Sequence, residues 1–566
     1  MRGCYTNKGA MKSGRKHRIL IRTGWLMVGW LLAFNSPVSA QYLPTHISNQ
    51  GIYLFLDELA TEKVIDLYSL VKPYARKDIA ALLLEADSSR SVLKRRQQDE
   101  LDFYLRDYMK ELPPKDTTAF GGSWLWLNKD KRFDVFYFRD SLFQITVNPI
   151  LGTDLWSNDN GSFSHWWNGL EANSTIGKFG IWASIRDNHE STELTSRDFQ
   201  NQRIGASNIK RFSDGKRDYW ELRAGITYAW KWGHIGLIMG QFEWGENNSG
   251  SNIYSGRTPA FPRLELAMDP APWFRFTYVH GSLVSEVVDS TLSFYTSSSY
   301  GTDYREVYHP KYLAANIFTF TPARGLQLSI GNSIIYDYRY PHMAFFLPVA
   351  FYKAIDHTLN AGINNMNSQL FFAASSRNLK NFHFYGSLFF DEVAVDRFFN
   401  SEEHNFVSYK LGAATTILPN SRIWAEYTWS NALVFRHDIP TTTFESNRYN
   451  LGHYLEDNAK QLYLGVDYRP LRALNIRMYY NRSEKGPDHT ELGTMPRDEI
   501  DPFDPIVWKS EKFGILATYQ LINDLYMRLG YEWRNVSGEE AYLEQWTPVE
   551  YHGKTGTLRI GINYGF

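Results

Sequence analysis

The chain of 566 residues has a formal net charge of −1, with 43% hydrophobic and 16% aromatic residues. No stretch after residue 40 approaches the roughly 20 continuous apolar residues of a membrane-spanning helix, which excludes a helical membrane protein over that part. Cys4 is the only cysteine, so the chain beyond it excludes disulfides, cysteine metal sites and a cysteine nucleophile. The aromatic share fits strands, interfaces and membrane girdles better than solvated helices.

The first 40 residues predict a secretory signal peptide. Five basic residues between positions 12 and 22 precede the apolar run 25–34, and Val38 and Ala40 stand at the small-residue cleavage positions. We expect cleavage near Ala40, with Met1 and Met11 as alternative starts. The mature chain would carry 53 basic and 61 acidic residues, a net charge of −8.

Residues 42–112 predict a small helical bundle on the periplasmic side. Three stretches beginning near Ile52, Arg76 and Ser91 have helical spacing of their apolar residues. Pro73 separates the first two stretches, and Pro113 with the following proline ends the third.

The basic run Lys94-Arg95-Arg96 lies in the third stretch and raises the question of nucleic-acid binding. Asp99 and Glu100 follow Arg95 and Arg96 by four residues, a spacing that allows pairing along a helix. The chain is also predicted to be exported. We therefore expect a solvated helix face and no nucleic-acid partner.

From about residue 120 the apolar period is two. Segments 220–230, 462–468, 474–480 and 525–533 each place apolar residues on one face and charged or polar residues on the other. Residues 120–138 also look strand-like and predict either an additional strand pair or a periplasmic lead-in. This alternation fits a soluble sandwich, or a membrane barrel whose apolar face meets lipid and whose polar face lines the lumen.

The connections between these strands favour the barrel. Short turns are predicted near 177–178, 231–232, 270–271, 323–324, 377–380, 418–420, 470–471 and 522–524. Long polar segments lie at 151–163, 188–218, 247–261, 285–310, 338–365, 393–405, 432–460, 483–511 and 537–554. Such strict alternation is typical of outer-membrane barrels, whose periplasmic turns are short and extracellular loops long. We predict an all-β transmembrane barrel over 120–566, with about 18 antiparallel strands and the small N-terminal helical bundle.

The last strand predicts how the barrel closes and is recognised. Leu558, Ile560 and Ile562 form an apolar face for lipid, and the strand is expected to pair with the first one. Tyr564 and Phe566 continue that face. A terminal aromatic resembles the signal by which outer-membrane proteins are recognised, so we expect the barrel assembly machinery to be a partner.

The sequence contains no catalytic motif that we would assign. It has no Gly-x-Ser-x-Gly elbow, phosphate loop or His-Glu-x-x-His spacing, so we expect no enzyme activity, cofactor or metal. The candidate functional residues are instead charged side chains that the alternation places toward the lumen. They are Glu221, Arg223, Glu426, Asp467, Arg477, Arg528, Glu532, Arg534 and Arg559. Two interpretations stay open: mixed charges that satisfy one another, or an anion-tolerant interior or plug-docking surface.

Several long loops are rich in aromatic residues. Segments 291–300 and 501–508 combine rings with polar groups, which suits sugar binding by ring stacking and equally suits protein contacts. The segment Tyr340–Tyr352 is too apolar for a free external loop, and we expect it to fold inward and help to occlude the barrel.

This layout resembles the Wzi-type capsule assembly proteins of Gram-negative outer membranes. The segment Val71-Lys-Pro-Tyr-Ala-Arg-Lys-Asp-Ile79 resembles a lysine-proline-tyrosine-serine-arginine stretch of Bacteroidetes members, where similar RemB-type gliding motility proteins share the layout. The resemblance implies a non-enzymatic surface protein that binds extracellular polysaccharide and attaches or organises a capsule, with outer-membrane lipid around it. The alternatives are a gliding-motility or secretion-associated surface protein and a porin-like channel.

Overall fold

The computed structural model of the chain describes residues 41–112, 121–128, 131–211, 215–298, 301–359, 363, 365–391, 405–489, 503 and 505–565. The predicted signal peptide and Phe566 lie outside the described residues. No helix in the described part is long and apolar enough to cross a membrane.

Eighteen antiparallel strands form a closed barrel, which confirms the predicted fold class and strand number. In chain order they are β1 Phe143–Asn158, β2 Gly161–Ile176, β3 Phe179–Glu190, β4 Arg217–Trp230, β5 Gly233–Gly240, β6 Phe261–Ala271, β7 Phe274–Val288, β8 Tyr308–Ala323, β9 Leu326–Tyr336, β10 Met366–Ser376, β11 Phe382–Asp391, β12 Phe406–Thr415, β13 Ser421–Ser430, β14 Ala459–Leu471, β15 Leu474–Lys485, β16 Trp508–Ile522, β17 Leu525–Gly538 and β18 Gly553–Tyr564. Each strand pairs with the next, so local hairpins build the wall.

The ring closes between β18 and β1, in register from Leu558 opposite Ser157 to Tyr564 opposite Leu151. A separate hairpin, 121–128 with 131–139, pairs with β1 below this closure. The strand-like lead-in therefore extends the sheet without joining the ring. Among the described strands, closure leaves none of the eighteen with an unpaired edge, which is the condition for crossing lipid with strands.

The period-two pattern determines which side chains face outward. On β18, Leu558, Ile560 and Ile562 are 46%, 53% and 43% exposed, whereas Thr557 before them and Asn563 after them, on the opposite face, are buried. The same alternation recurs around the ring and gives an apolar outer surface. An apolar outer surface of this kind is the surface that a transmembrane barrel presents to lipid.

Short turns and long connections alternate along the chain. We call the two rims of the barrel the short-turn end and the long-loop end. The short turns are 177–178, 231–232, 272–273, 324–325, 377–381, 416–420, 472–473 and 523–524, close to the predicted positions. The predicted long loop at 151–163 is wrong: β1 and β2 run on to a tight turn at 159–160, because polar strand residues such as Ser157 and Ser162 pair beyond the apolar belt.

The N-terminal helices lie at the short-turn end. They are α1 Gln50–Thr61, α2 Arg76–Ser88 and α3 Arg95–Tyr108, and we call residues 41–112 the helical segment. Its core comprises Phe55, Leu56, Leu83 and Leu101, all fully buried. The segment closes this rim of the barrel through contacts with strand ends and turns.

The prediction that Tyr340–Tyr352 folds inward is wrong. This part of the β9–β10 connection packs on the outer face of the barrel, where the Tyr278 hydroxyl donates to the Phe345 carbonyl at 2.8 Å. Tyr278 faces outward because it alternates with Val279, which is buried in the barrel interior. An apolar composition requires burial, but it does not distinguish the lumen from the lipid side of the wall.

Candidate ligand site inside the barrel

The nine predicted lumen residues lie on the inner face of the wall, between exposed apolar neighbours. On β17, for example, Glu532 lies between Tyr531 and Trp533, which are 48% and 39% exposed. These inward charges are joined by ion pairs. The pairs are Glu221 with Arg186 (2.7 Å) and Arg223 (3.4 Å), Glu426 with Lys410 (2.6 Å), Asp467 with Arg477 (2.6 Å), Glu532 with Arg534 (2.6 Å), and Asp154 with Arg559 (2.9 Å) and Arg528 (3.7 Å).

Much of the interior is filled by two connections that fold inward from the long-loop end. We call residues 241–260 and 431–458 the inner loops. The first crosses to the opposite wall, where Asn252 donates to the Ser408 carbonyl at 3.1 Å. The second crosses back to β7, where the Asn447 amide donates to the Val284 carbonyl at 2.9 Å. Polar side chains of these loops are thus satisfied by the wall.

The inner loops share an apolar core with the inward face of β6–β11. Trp244 and Tyr254 pack against Phe371, with ring centroids 5.9 and 6.1 Å apart, and Tyr254 lies 5.4 Å from Phe444 of the second loop. Burying a large apolar side chain stabilises a protein by roughly 1.5–3 kcal/mol. The lumen in this region is therefore a packed core and not a water-filled pore.

A cavity of about 970 Å³ remains beside the inner loops, toward the long-loop end. We call it the long-loop cavity. Its wall consists of residues of β1 and β15–β18, and its roof comes from residues 191–206 and the connection 539–552. The roof contains α4, Glu540–Trp546, which the Trp508 indole holds by donating to Thr547 Oγ1 at 2.9 Å.

Aromatic rings line this cavity on two sides. Trp156 stacks on Phe163 at 5.5 Å, and Tyr551 meets Phe163 edge-on at 5.4 Å. Trp508 and Trp546 form the other side, with centroids 6.4 Å apart. Flat apolar rings beside polar groups are the surfaces on which sugar rings stack.

The lining of the long-loop cavity has a basic excess. It carries four basic residues, Arg203, Lys512, Arg534 and Arg559, and one acidic residue, Glu532. Arg203 pairs with Glu190 at 2.7 Å, and Arg534 lies over the Tyr551 ring at 3.7 Å. Guanidinium groups arranged in this way suit carboxylate recognition.

Some polar groups of this cavity have no partner among the described residues. Gln200 Oε1 and Ser510 Oγ are buried without a hydrogen bond, and Lys512 forms no ion pair within the described part. Buried polar groups are normally satisfied, so a ligand with hydroxyl and carboxylate groups would complete this site.

The predicted lumen residues account for only part of this cavity. Arg534, Glu532 and Arg559 line it, whereas the other six predicted residues lie elsewhere on the inner face. The sequence analysis missed Lys512, although its alternation with Phe513 is the same signal that identified Arg534. Trp508, in a segment predicted to suit sugars, does line the cavity. In the other such segment, 291–300, residues Phe294–Ser298 pair with Gly301–Arg305 in an exposed hairpin, with Tyr295 74% exposed.

A second cavity, of about 1170 Å³, lies under the helical segment at the short-turn end. His46 projects into it and hydrogen-bonds Gln241 Oε1 at 3.0 Å. Burial, together with the charge of Arg223, lowers the pKa of His46 to about 3, so the imidazole is neutral. This cavity is enclosed between the helical segment and the wall.

Two charge clusters attach the helical segment to the barrel. Asp57 on α1 pairs with Arg377 at 2.6 Å and with Arg422 at 2.8 Å. Burial alone would raise the pKa of Asp57, but Arg422 and Arg377 outweigh it and hold this pKa well below its ordinary value. The second cluster joins Glu58 and Arg96 with Glu100 and the strand residue Arg469.

The segment Val71–Ile79 has a structural role at this junction. Val71 and Lys72 pair with Trp244 and Glu243 of the first inner loop. Arg76 binds Glu111 at 2.6 Å, which fastens α2 to the end of the helical segment. Among the described residues, no group of three His, Cys, Asp or Glu side chains is arranged to hold a metal ion.

The structure is similar to that of Wzi, an outer-membrane protein involved in group 1 capsule assembly in Escherichia coli and a carbohydrate binding β-barrel. The match has a TM-score of 0.55 at 11% identity and covers 93% of this chain and 100% of that one. Pseudomonas aeruginosa OccD3 and Acinetobacter baumannii OccAB2 match with TM-scores of 0.40 at 10% identity, over 74% of this chain and 90% and 97% of theirs. Protein-family models and curated protein sequences give no match. The likeness to Wzi is one of fold: the chain has the fold of an outer-membrane β-barrel.

Proposed function

We propose that this barrel binds surface polysaccharide in the long-loop cavity and thereby attaches or organises a capsule, without catalysing a reaction. The observation that carries the proposal is the cavity itself. It combines stacked aromatic rings, four basic side chains and unsatisfied polar atoms at one site. The carbohydrate binding stated for Wzi, a protein of similar fold, is consistent with it.

The basic excess favours an acidic polysaccharide, because carboxylates of uronic acids would pair with Lys512 and Arg534. Rings such as Trp156 would stack on the faces of neighbouring sugars. In outer-membrane barrels the short turns face the periplasm. The long-loop cavity, near the opposite rim, would therefore face the cell exterior. The same proposal includes export by the signal peptide and a periplasmic position of the helical segment. It also includes recognition by the assembly machinery through Tyr564 and Phe566.

Binding of uronate-containing and neutral polysaccharides to the purified barrel in detergent tests the proposal. Lys512→Gln removes a charge-assisted hydrogen bond worth roughly 1.5–3 kcal/mol, so the affinity for the acidic glycan should fall about tenfold or more. Arg482→Gln is the matched control, because Arg482 is basic, exposed and lies outside the cavity. Equal binding by wild type and Lys512→Gln would refute the assignment of the site.

A porin-like channel is the second candidate, and the filled lumen disfavours it. The apolar core around Trp244 and Tyr254 occupies the space that a diffusion pathway would need. Conductance in planar bilayers should therefore be small compared with that of open porins. A large, steady conductance would favour transport.

Capsule staining and surface spreading of a deletion strain, compared side by side, separate the capsule role from the motility alternative.

A further inference from the structure

The connection between β9 and β10 covers part of the outer face of the barrel. We call residues 338–359 the outer flap; it contains a 3-10 turn, Met343–Phe346, and the helix Tyr352–Leu359. On β9, the outward residues Leu328 and Ile330 are 44% and 42% exposed. Ile334 continues the same face but is fully buried, because the flap lies over it.

Two outward asparagines fasten the flap to the wall. Asn316 Nδ2 donates to the carbonyl oxygens of Pro348 and Ala350, both at 2.9 Å. Asn332 Oδ1 accepts a hydrogen bond from the Tyr352 amide, also at 2.9 Å. The polar groups of the wall and of the flap backbone thus satisfy each other, as a hydrocarbon environment requires.

These asparagines lie at the height of the apolar belt. Asn332 is six residues above the start of β9 at the short-turn end. At ~3.3 Å per residue and a tilt of about 40°, that is about 15 Å up a belt roughly 25 Å tall. Leu558 on β18 stands equally far from the end of its strand and is 46% exposed. At this height β18 exposes Leu558 on its outer face, whereas β9 has the side-chain amide of Asn332, which lies under the flap.

The side of the flap that faces away from the barrel is apolar. Met343, Leu347, Val349 and Phe351 are 78%, 58%, 66% and 51% exposed. Their patch continues the exposed apolar surface of β9. In water, such a contiguous patch would be costly.

We propose that the outer flap is embedded in the membrane, with lipid acyl chains covering Met343, Leu347, Val349 and Phe351. Its height, its continuity with the lipid-facing wall and its internally satisfied backbone all point to this occupant. Over β7–β10 the barrel then has a second protein layer between strand and lipid. The proposal is independent of polysaccharide binding.

Single-cysteine labelling tests the occupant. Cys4 is the only cysteine of the chain, so a Cys4→Ser background gives each introduced thiol a unique label. Val349→Cys is compared with Leu237→Cys on the lipid-facing wall and with Tyr295→Cys in an exposed hairpin, 62% and 74% exposed respectively. Each variant carries an environment-sensitive fluorophore and is reconstituted in phosphatidylcholine vesicles, with and without brominated acyl chains.

The emission maximum of the Val349 adduct should shift to that of the Leu237 adduct, with the same loss of intensity in brominated lipid. Emission and quenching like those of the Tyr295 adduct would place the flap in water and overturn the proposal. Apolar emission without bromine quenching would show that protein, such as a second copy of this chain, covers the flap, and would overturn it as well. Met343→Cys provides a second position should Val349→Cys fail to assemble.

Discussion

Replacing Arg469 with methionine should release the helical segment from the barrel. Arg469 Nη1 binds Glu100 Oε1 at 3.1 Å, and its other nitrogen binds Glu58; Arg96 Nη1 binds Glu100 Oε2 at 2.5 Å and also pairs with Glu58. All four side chains are at most 8% exposed, and their formal charges cancel. Arg469→Met leaves one negative charge buried without compensation.

Breaking a buried ion pair by removing one partner costs about 3–5 kcal/mol. This corresponds to a rise of roughly a hundredfold to several thousandfold in the population with the helical segment undocked. Amide hydrogen exchange in detergent measures that population, because exchange within α1 and α3 follows local opening. We expect faster exchange in these helices and unchanged exchange in the barrel strands.

Two further variants make this test specific. Arg469→Met with Glu100→Gln restores neutrality and should recover most of the protection. Burial raises the pKa of Glu100 against the opposing effect of Arg469 and Arg96. The neutral form of this carboxyl is therefore easier to reach than that of an exposed glutamate. Arg90→Met breaks the exposed Arg90–Asp102 pair and should cost less than about 1 kcal/mol. Wild-type exchange rates in Arg469→Met alone would refute the reasoning.

Three other outcomes are expected. The pKa of Asp57 is lower in the folded state than in the unfolded state, so the ionised carboxylate stabilises docking above the unfolded pKa of about 3.9, and this stabilisation is lost as pH falls below that value. Protection of the helices from amide exchange should weaken in that pH range. A pH profile of protection that is unchanged in Asp57→Asn would contradict this. Gly465→Ala places a Cβ 2.2 Å from the Trp424 ring and should destabilise the barrel by about 1–3 kcal/mol. The temperature at which the folded band is lost in heat-modified gel mobility should fall. Gly240→Ala, where a Cβ meets open space, should leave that temperature unchanged. Asn332→Leu leaves a flap amide unpaired at a cost of about 1–3 kcal/mol, so protease should cleave within 338–359 faster than in wild type.

The wall of the barrel was predictable because each strand carries its own pattern. Alternation of apolar and polar residues fixes which face meets lipid, and short turns join neighbours that pair locally. Arg534 and Arg559 could therefore be placed on the inner face from sequence.

The filling of the barrel was not predictable in the same way. The first inner loop is rich in Gly, Ser and Asn, and such a composition resembles an external loop. It is buried because distant wall residues, such as Ser408 for Asn252, satisfy its polar groups. The long-loop cavity likewise joins Trp156 and Tyr551, which lie almost 400 residues apart in sequence. Only the closed ring brings such residues together.

The helical segment contacts every short turn of the barrel, or a residue within two positions of it. These contacts pair Gln41 with Gly177, Tyr42 with His234, Tyr68 with Pro272, Asp66 with Arg324, Lys63 with Asn378, Arg96 with Asn420, Phe103 with Arg472, and Asn49 with Tyr526.

A segment near the beginning of the chain is therefore complementary to a surface that exists only when all eighteen strands are in place. The contacted turns are spread over some 350 residues of sequence. Bringing such distant parts of the chain together costs more conformational entropy than forming a local hairpin. The helices can complete their docking only after the ring has closed. Complete docking of the helical segment therefore requires a fully assembled barrel. A ring with a missing or slipped hairpin would leave its short-turn end uncovered.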